Sequence, residues 1–277
     1  MSTPVTAPSS PYAIEVKNLT VGYGSNILMK DLNFNVNNGE IFVILGGSGC
    51  GKSSLLKNIF GLYQPLSGDV LIEGQNITVA QGAERQKIMT SFGVMYQQGA
   101  LFGSMNLLDN ITLFMQEYTQ LTQDQMNLLA RCKLDLVGLL PYETYMPSDI
   151  SGGMQKRAAI ARAMALDPKI LFLDEPSAGL DPITSADLDQ TILDLSKNLG
   201  ITFVIVSHEL ASIYTIADKV IMLDKAAKGI IAEGDPRVLR DTSTDPRVRQ
   251  FFNRITTKDA VWVITPTLTI SALAFLC

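Results

Sequence analysis

The sequence lacks the cysteine pattern and the charge balance that mark several protein classes. Its three cysteines, Cys50, Cys132 and Cys277, are widely spaced and give neither a metal-ligand pattern nor a disulfide framework, which fits a reducing cytoplasm. Its 22 basic residues are outnumbered by 27 acidic ones, for a formal net charge of -5. Because binding to bulk nucleic acid needs a basic surface that displaces counterions, we expect no nucleic-acid partner.

Signals for export and for membrane insertion are also missing. Residues 1–11 are rich in Ser, Thr and Pro and lack a positive charge followed by an apolar run, which predicts a flexible leader and not a secretory signal. The apolar stretch 261–277 is shorter than the roughly 20 residues of a spanning helix and contains Pro266. We expect no transmembrane span there. We expect residues 241–277 to form a C-terminal tail, whose apolar end packs on a partner or is disordered.

Apolar runs are spaced along a chain of average composition, in which 47% of the 277 residues are hydrophobic and 18% are charged. The runs 41–45, 170–173 and 202–206 are almost continuously apolar, as expected for strands buried on both faces of a mainly parallel sheet. Other β-type runs occur at 13–19, 70–72 and 220–223. Helical patterns between several of them predict an α/β core.

The region from about 99 to 168 has a different pattern. Residues 107–118, 123–137 and 152–165 have helical periodicity, and no strong strand pattern lies among them. This predicts a helical subdomain inserted into a single domain that spans 12–240. No internal repeat is present, so we expect one copy of the domain and not a tandem pair.

A glycine-rich loop follows the run 41–45 directly. Its residues are Gly46, Gly47, Ser48, Gly49, Cys50, Gly51, Lys52, Ser53 and Ser54, which satisfy the phosphate-loop pattern between a strand and a helix. The glycines let backbone N–H groups converge on phosphate oxygens at a helix N-terminus. Lys52 is expected to reach the β- and γ-phosphates and Ser53 to coordinate Mg²⁺. The alternative is a turn with an incidental lysine, but strand, spacing and helix together favour a nucleoside triphosphate site.

Two adjacent carboxylates, Asp174 and Glu175, end the run 170–173. Alternation along a strand points them in different directions, so one can hold the Mg²⁺ shell while the other faces the attacking water. Alone, such a pair is more often a solvated turn; the phosphate loop favours catalysis. The only histidine, His208, follows the run 202–206, where ligands collect at the carboxyl ends of strands. It is either a surface or core residue or a contact to the γ-phosphate.

These elements occur together with the segment Asp-Ile-Ser-Gly-Gly-Met-Gln-Lys-Arg at 149–157, and the combination resembles the ABC ATPase family over about residues 14–235. The resemblance implies a phosphate-loop, RecA-like core with a mainly parallel sheet, an N-terminal antiparallel β subdomain and an inserted helical subdomain. It assigns nucleotide binding to Tyr23, which stacks on adenine, to the loop 46–54, to the signature residues Ser151, Gly152 and Gly153, and to Asp181. Metal binding falls to Ser53, Gln97 and Asp174.

The resemblance also implies a mechanism and a second copy of the chain. ATP is held between the phosphate loop of one subunit and the signature residues of the other, in a head-to-tail dimer. Glu175 acts as general base, with His208, Lys52 and Gln97 in catalytic roles. The signature sequence departs from the family at Met154, where the usual glutamine is missing. The adjacent Gln155 is a candidate to supply that amide.

The Ser-Gly-Gly-Met variant and the segments 97–102 and 174–182 resemble the lipid-transport branch of the family, of the Mla (maintenance of lipid asymmetry) type. This implies phospholipid transport between inner and outer membranes, with the chain peripheral at the cytoplasmic face of the inner membrane. The implied partners are a permease dimer, a periplasmic MCE-domain subunit and a small STAS-domain subunit. Five apolar residues form either a groove for the permease or local core: Leu101, Phe102, Met105, Leu107 and Leu108.

Three alternatives remain open at the level of sequence. A family ATPase without a membrane partner usually carries two cassettes, zinc-binding cysteines or long coiled coils, none of which is evident here. A catalytically silent nucleotide sensor is disfavoured by the presence of both Glu175 and His208. A transporter of some other substrate stays open because partner subunits choose the cargo.

Overall fold

A six-stranded sheet forms the centre of the molecule in the computed structural model, which describes residues 10–253. In order across the sheet, the strands are β10 (Gly229–Gly234), β9 (Lys219–Asp224), β3 (Ile41–Gly46), β8 (Thr202–Val206), β7 (Ile170–Asp174) and β6 (Phe92–Met95). Neighbours from β9 to β6 pair in parallel, and β10 pairs antiparallel with β9. The predicted α/β class with a mainly parallel sheet is confirmed.

The sheet is apolar on both faces because alternate residues of its central strands enter two separate cores. Phe42, Phe172 and Val204 pack on one side, against the N-terminal sheet, and their neighbours Val43 and Leu171 pack on the other. All residues of β3, β7 and β8 are buried. Burial on both faces explains the continuous apolar runs, and fully burying each large side chain contributes about 1.5–3 kcal/mol.

The second sheet is antiparallel and contains β2 (Asn26–Asn37), β1 (Tyr12–Tyr23), β4 (Ser67–Ile72) and β5 (Gln75–Asn76), in that order. Its strands alternate: in β2, Leu32, Phe34 and Val36 are buried while the residues between them are more exposed. This sheet corresponds to the N-terminal antiparallel β subdomain implied by the resemblance. Tyr23 and Leu28 of this sheet lie at one end of the central sheet.

The helices of the described residues are α1 (Lys52–Ile59), α2 (Gly82–Met89), α3 (Leu107–Tyr118), α4 (Gln123–Leu136), α5 (Gly152–Ala163), α6 (Pro182–Leu199), α7 (Leu210–Ile216), α8 (Pro236–Thr242) and α9 (Pro246–Asn253). The fully described stretch 99–168 holds α3, α4, α5 and two short 3₁₀ turns, without a strand. Its helices begin at polar caps: Asn106 accepts from Asp109, Thr122 forms a capping box with Gln125, and Ser151 caps α5. The division into an inserted subdomain stays a prediction.

The segment 241–253 contains the end of α8 and all of α9, and α9 packs on the body of the molecule. Val248 and Phe252 are buried, and Tyr214 on α7 donates a hydrogen bond to the Phe252 carbonyl at 3.2 Å. The first part of the predicted C-terminal segment is therefore a packed helix. The apolar stretch 261–277 and most of the predicted leader, residues 1–9, lie outside the described residues. None of the helices in the described part of the chain has both the length and the apolar character needed to cross a bilayer.

Candidate functional site

The glycine-rich loop turns sharply between β3 and α1. Gly46, Gly49 and Gly51 have φ angles of 146°, 70° and 101°, in the region that favours glycine. A Cβ atom on Gly46 would lie 2.6 Å from the Leu223 carbonyl oxygen, so the loop passes too close to β9 for any side chain. The turn aims the N-terminus of α1, with its unpaired N–H groups and positive dipole end, across the end of the sheet.

Lys52 is the first residue of α1 and is 8% exposed. Its Nζ donates to the Gly46 and Gly47 carbonyls at 2.9 and 3.2 Å. An ammonium group has three donors, so these two bonds hold it over the loop and leave one donor for a phosphate oxygen. The charge predicted to bind phosphate therefore lies at the loop.

Two of the three residues that sequence assigned to metal, Ser53 and Asp174, are in contact. Ser53 Oγ donates to Asp174 Oδ1 at 2.9 Å. Burial raises the pKa of Asp174, and the Ser53 hydrogen bond opposes the rise. Hydroxyl and carboxylate oxygens are the hard ligands that Mg²⁺ accepts, alongside water and phosphate oxygens. No cluster of three or more His, Cys, Asp or Glu able to hold a metal occurs among residues 10–253. The pair thus fits a magnesium ion that is held mostly by phosphate and water.

Glu175 lies between two other candidate residues. Gln97 Nε2 donates to Glu175 Oε2 at 3.3 Å, and His208 Nδ1 is 3.1 Å from Glu175 Oε1. Asp174 and Glu175 do diverge, but strand alternation is not the reason. Glu175 has already left β7, with a left-handed φ of 48°, and its N–H donates to the Val206 carbonyl at 2.9 Å. This turn presents its carboxylate beside the sheet end.

The segment after β6 is held by α5. Lys156 Nζ donates to the Gln97 carbonyl, and Arg162 donates to the Gly99 carbonyl at 3.1 Å and to the Ala100 carbonyl. Burial lowers the pKa of Lys156, an effect that the Glu175 carboxylate opposes. Sequence assigned Gln97 to the site but gave no role to these two basic residues, although both lie on the predicted helix 152–165.

The glycine-rich loop faces a cleft of about 710 Å³, which Gln97 and Asp174 do not line. Its lining includes every residue of the loop 46–54 except Cys50, together with Glu175 and His208. Cys50 is buried beneath the loop, where burial raises the pKa of its thiol. Leu28 on β2 and Phe251 on α9 also line the cleft, and sequence reasoning missed both. Neither belongs to a motif, and only the tertiary packing of β2 and α9 brings them there.

Tyr23 ends β1 beside the loop. Its ring is 53% exposed, and its hydroxyl is 3.0 Å from Ser54 Oγ. Tyr63 meets the ring edge-on at a centroid distance of 6.0 Å. The open face of the ring fits the predicted stacking on a purine, and the contact with Ser54 fixes the ring near the start of α1.

The signature residues occupy a separate place. Ser151, Gly152, Gly153 and Asp181 are not among the residues that line the cleft. Ser151 Oγ caps α5 by accepting from the Met154 N–H at 3.3 Å, and Asp181 caps α6 by accepting from the N–H groups of residues 183 and 184. The hydrogen bonds from Thr184 lower the pKa of Asp181. Two helix N-termini, which attract anions, thus meet at an exposed edge.

Gln155 does not take the place of the missing signature glutamine. Its side-chain amide donates to the carbonyls of Pro147 and Ile150 at 2.9 and 3.3 Å. The amide therefore braces the turn that precedes Ser151 within its own chain. The hypothesis that Gln155 supplies the absent amide is wrong for this conformation.

A groove of about 270 Å³ lies beside the Gln97 segment, between β6 and the helical region. Tyr96, Phe114, Tyr118 and Met89 line it and are each more than a third exposed. Of the five apolar residues with two predicted outcomes, Phe102 is 44% exposed, Leu107 is buried, and Leu101, Met105 and Leu108 are intermediate. Leu107 therefore belongs to the core, and the exposed apolar surface is formed mainly by other side chains.

Comparison with known proteins identifies the chain. Residues 29–178 match the ABC transporter family. The chain is 44% identical to a probable ribonucleotide transport ATP-binding protein, mkl, of Mycobacterium leprae, over 87% of this chain and 69% of that protein. It is 37% identical to the intermembrane phospholipid transport system ATP-binding protein MlaF of Escherichia coli K12, over 87% of this chain and 89% of that protein.

A solved structure agrees with the fold. The cassette MJ0796, in a dimeric post-hydrolysis state bound to ADP and Pi, superposes with a TM-score of 0.71 at 29% identity, over 80% of this chain and 98% of that one. Its bound ADP and Pi are the products expected at a phosphate loop flanked by carboxylates. This chain belongs to the ABC transporter family, as an ATP-binding subunit that hydrolyses ATP.

Proposed function

We propose that the chain drives phospholipid transport between the inner and outer membranes, with Glu175 as the general base of ATP hydrolysis. The contacts of Glu175 with Gln97 and His208, beside the phosphate loop, support this role most directly. A carboxylate held by two side chains can orient a water molecule and accept its proton. Lys52 and His208 are placed to stabilise charge on the phosphoryl group as it transfers.

The nucleotide is held by the remaining residues of the predicted site. The loop 46–54 receives the phosphates, Tyr23 receives the adenine, and Ser53, Asp174 and Gln97 complete a magnesium shell. A bound Mg²⁺ supplies Lewis-acid stabilisation of the phosphate oxygens. The contact between Ser53 and Asp174 supports this assignment, because it brings two hard oxygen ligands together.

A second copy of the chain is part of the proposal. The cap residues Ser151 and Asp181 lie outside the cleft of their own chain, so the N-terminus of α5 is free to meet the nucleotide of a partner. A helix N-terminus stabilises anions, and a γ-phosphate held between two such ends is bound from both sides. The dimeric state of MJ0796 supports a head-to-tail pair.

The groove beside the Gln97 segment is the proposed docking site for a permease dimer. Its aromatic side chains are exposed, and Arg162 both lines the groove and holds the Gly99 and Ala100 carbonyls. A helix of the permease that fills this groove therefore contacts residues that position Gln97. We place the chain at the cytoplasmic face of the inner membrane. From the Mla-type resemblance we further propose a periplasmic MCE-domain subunit and a small STAS-domain subunit.

A second cargo has specific support. The mycobacterial relative, named as a probable ribonucleotide transport ATP-binding protein, is 44% identical, compared with 37% for MlaF. The matches are almost equally long, at 241 and 242 residues, but they span 89% of MlaF and only 69% of the mycobacterial protein, so MlaF is more similar to this chain in overall length, which favours phospholipid. Mass spectrometry of the complex purified from native membranes tests the cargo. Phospholipid with an MCE-domain subunit supports the proposal, whereas a nucleotide-binding partner without lipid contradicts it.

The catalytic proposal is tested by replacing Glu175 with glutamine in the purified complex. Loss of the base is expected to lower the rate of phosphate release by about a thousandfold, within the range of large general-base effects, and to leave ATP binding intact. Phosphate release and binding of a fluorescent ATP analogue give the two measurements. If E175Q hydrolyses ATP at more than about a tenth of the wild-type rate, Glu175 is not the base.

A further inference from the structure

The helix that begins at the signature serine also fixes the segment that carries Gln97. Three side-chain donors on α5 reach three backbone carbonyls: Lys156 reaches Gln97, and two Arg162 nitrogens reach Gly99 and Ala100. The segment leaves β6 as a turn stabilised by one further bond, from the Gly99 N–H to the Tyr96 carbonyl at 2.7 Å. The conformation of residues 97–100 is therefore set largely by α5.

The backbone of this turn is strained and needs such support. Gly99 and Ala100 have φ angles of 73° and 53°, and left-handed backbone is unfavourable for alanine. The turn is also close to the helix, since a Cβ atom on Gly99 would lie 3.3 Å from the Ala159 Cβ. A strained conformation persists only when its surroundings enforce it, and strain of this kind is common at functional sites.

The two basic residues do different things. Arg162 is 7% exposed and lies over the rings of Phe102 and Phe114, at 5.8 and 5.7 Å from their centroids. These contacts make it part of the packing of the turn. Lys156 is only partly buried, and its ammonium bonds the carbonyl of Gln97, whose side chain reaches Glu175. It is therefore close to the reaction without being part of the core.

We propose that Lys156 is a positioning residue for ATP hydrolysis. By holding the Gln97 carbonyl, it fixes the direction in which the Gln97 amide points, toward Glu175 and the metal shell. The inference rests on the proposed roles of Gln97 and Glu175, and it gives Lys156, which lies in the segment 149–157, a role that the family resemblance does not assign. The alternative is that Lys156 only covers the turn and contributes to folding.

Removal of the ammonium separates these roles. In the full chain purified with its native membrane partners, Lys156→Met is expected to lower kcat about tenfold and to leave the KM for ATP within about twofold, because one charge-assisted hydrogen bond is lost. Lys156→Arg keeps a cationic donor and should recover at least about half of the wild-type kcat. Thermal unfolding of each variant should match the wild type within a few degrees.

Lys133→Met is the matched control. Lys133 is another lysine of the helical region that makes one side-chain hydrogen bond; it is buried on α4, where it bonds the Asp167 carboxylate. It contacts none of the residues of the cleft, so its loss should leave kcat unchanged. Equal losses of activity in K133M and K156M, or a K156M enzyme with wild-type kcat, would overturn the proposal.

A double-mutant cycle tests whether Lys156 acts through Gln97. If it does, K156M lowers kcat much less in a Gln97→Ala background than in the wild type, because the side chain it orients is already absent. Additive losses would show that Lys156 acts elsewhere. The E175Q variant keeps the two proposals distinct. Wild-type turnover in E175Q disproves the role of Glu175 as base. If E175Q is inactive but the losses in K156M and Q97A are additive, only the positioning role of Lys156 is disproved.

Discussion

The residues predicted to bind ATP form two regions that differ in how far one chain completes them. The phosphate half consists of Lys52, Ser53, Asp174, Glu175 and His208, which are joined by hydrogen bonds or line one cleft. The signature half consists of residues 151–153 and Asp181, whose polar groups bond only to their own helix ends. The phosphate half is assembled within a single chain, whereas the signature half consists of two helix N-termini that lie outside the cleft.

The difference follows from the elements that carry each half. The phosphate half lies at the carboxyl ends of parallel strands buried on both faces, which fix its geometry before nucleotide binds. The signature half lies where α5 and α6 begin, and Gly153 packs closely against Thr184 there. The geometry of the first half is set by the buried core, whereas that of the second depends on how two helix ends pack together.

Gly153 gives the largest expected effect on this comparison. A Cβ atom at this position would lie 2.2 Å from Thr184 Cγ2, so Gly153→Ala forces either the two helix ends apart or the Thr184 side chain out of its hydrogen bond with Asp181. We expect ATP hydrolysis to fall about a hundredfold, because a displaced phosphate-binding group loses most of its effect on the reaction. Binding of a fluorescent nucleotide, which depends on the phosphate half, should change less than about threefold. Steady-state phosphate release and equilibrium binding measure the two effects.

Thr184→Ser provides the control and the rescue. It removes the clashing methyl group and keeps the hydroxyl that donates to Asp181 at 2.5 Å. Alone it should hydrolyse ATP at nearly the wild-type rate, and combined with Gly153→Ala it should recover at least tenfold in activity. No recovery in the double variant would show that the contact with Thr184 is not what makes glycine necessary.

Much of the fold was predictable because its strands have strong patterns. Continuous apolar runs identified β3, β7 and β8 to within one residue, and helical periodicity did the same for α3 and the start of α5. The strand β2 was missed because polar residues alternate with its large apolar ones, so that it contains no continuous apolar run. The strand β6 is only four residues long and contains Gly93, which offers no β signal.

The site was predictable wherever a motif fixes local geometry. The loop 46–54, Glu175 and His208 lie together in one cleft as expected, since each follows a strand of the same sheet. Contacts across the chain were not predictable. Leu28 and Phe251 reach the cleft from the N-terminal sheet and from α9, and the Gln155 amide bonds the preceding turn, all through packing that no local pattern encodes.

Asp189 gives the second prediction, because it lies between a helix that starts in the signature half and a helix that follows the phosphate half. It is 6% exposed on α6, the helix capped by Asp181, and faces α7, which follows His208. Burial raises the pKa of Asp189 to about 6; a hydrogen bond from Ser212 opposes the rise, and the nearby Glu209 carboxylate, bonded by Ser185, adds to it. The folded state therefore binds this proton more tightly than the unfolded state, in which the pKa is near 3.8.

The sign of the effect on stability follows. Below the unfolded pKa of about 3.8 the carboxyl group is neutral in both states. As pH rises from there to about 6, the unfolded state loses its proton while the folded state keeps it, so the free energy of unfolding falls until both states are ionised. At about 1.4 kcal/mol per pH unit the loss is roughly 2–3 kcal/mol. Asp189→Asn should remove this pH-dependent loss. The free energy of unfolding of the variant, measured with urea, should therefore rise by this amount relative to wild type between pH 4 and 7.5.

Asp187→Asn, on the exposed face of α6, controls for the loss of a carboxylate. A constant difference in unfolding free energy between D189N and wild type across this pH range would contradict the raised pKa of Asp189.

The smallest expected effect concerns Met154, which tests whether the signature half meets nucleotide at all. The Gln155 amide is committed to the Pro147 and Ile150 carbonyls, so no side-chain amide at 154 or 155 is free to reach a partner's nucleotide. Met154→Gln adds one, and a single new hydrogen bond of about 0.5–1.5 kcal/mol should lower the KM for ATP about threefold with kcat unchanged. Met154→Leu, which adds no amide, should behave as wild type. A KM that is the same in both variants would mean that position 154 does not contact the nucleotide, and the signature half would then act through the N-terminus of α5 alone.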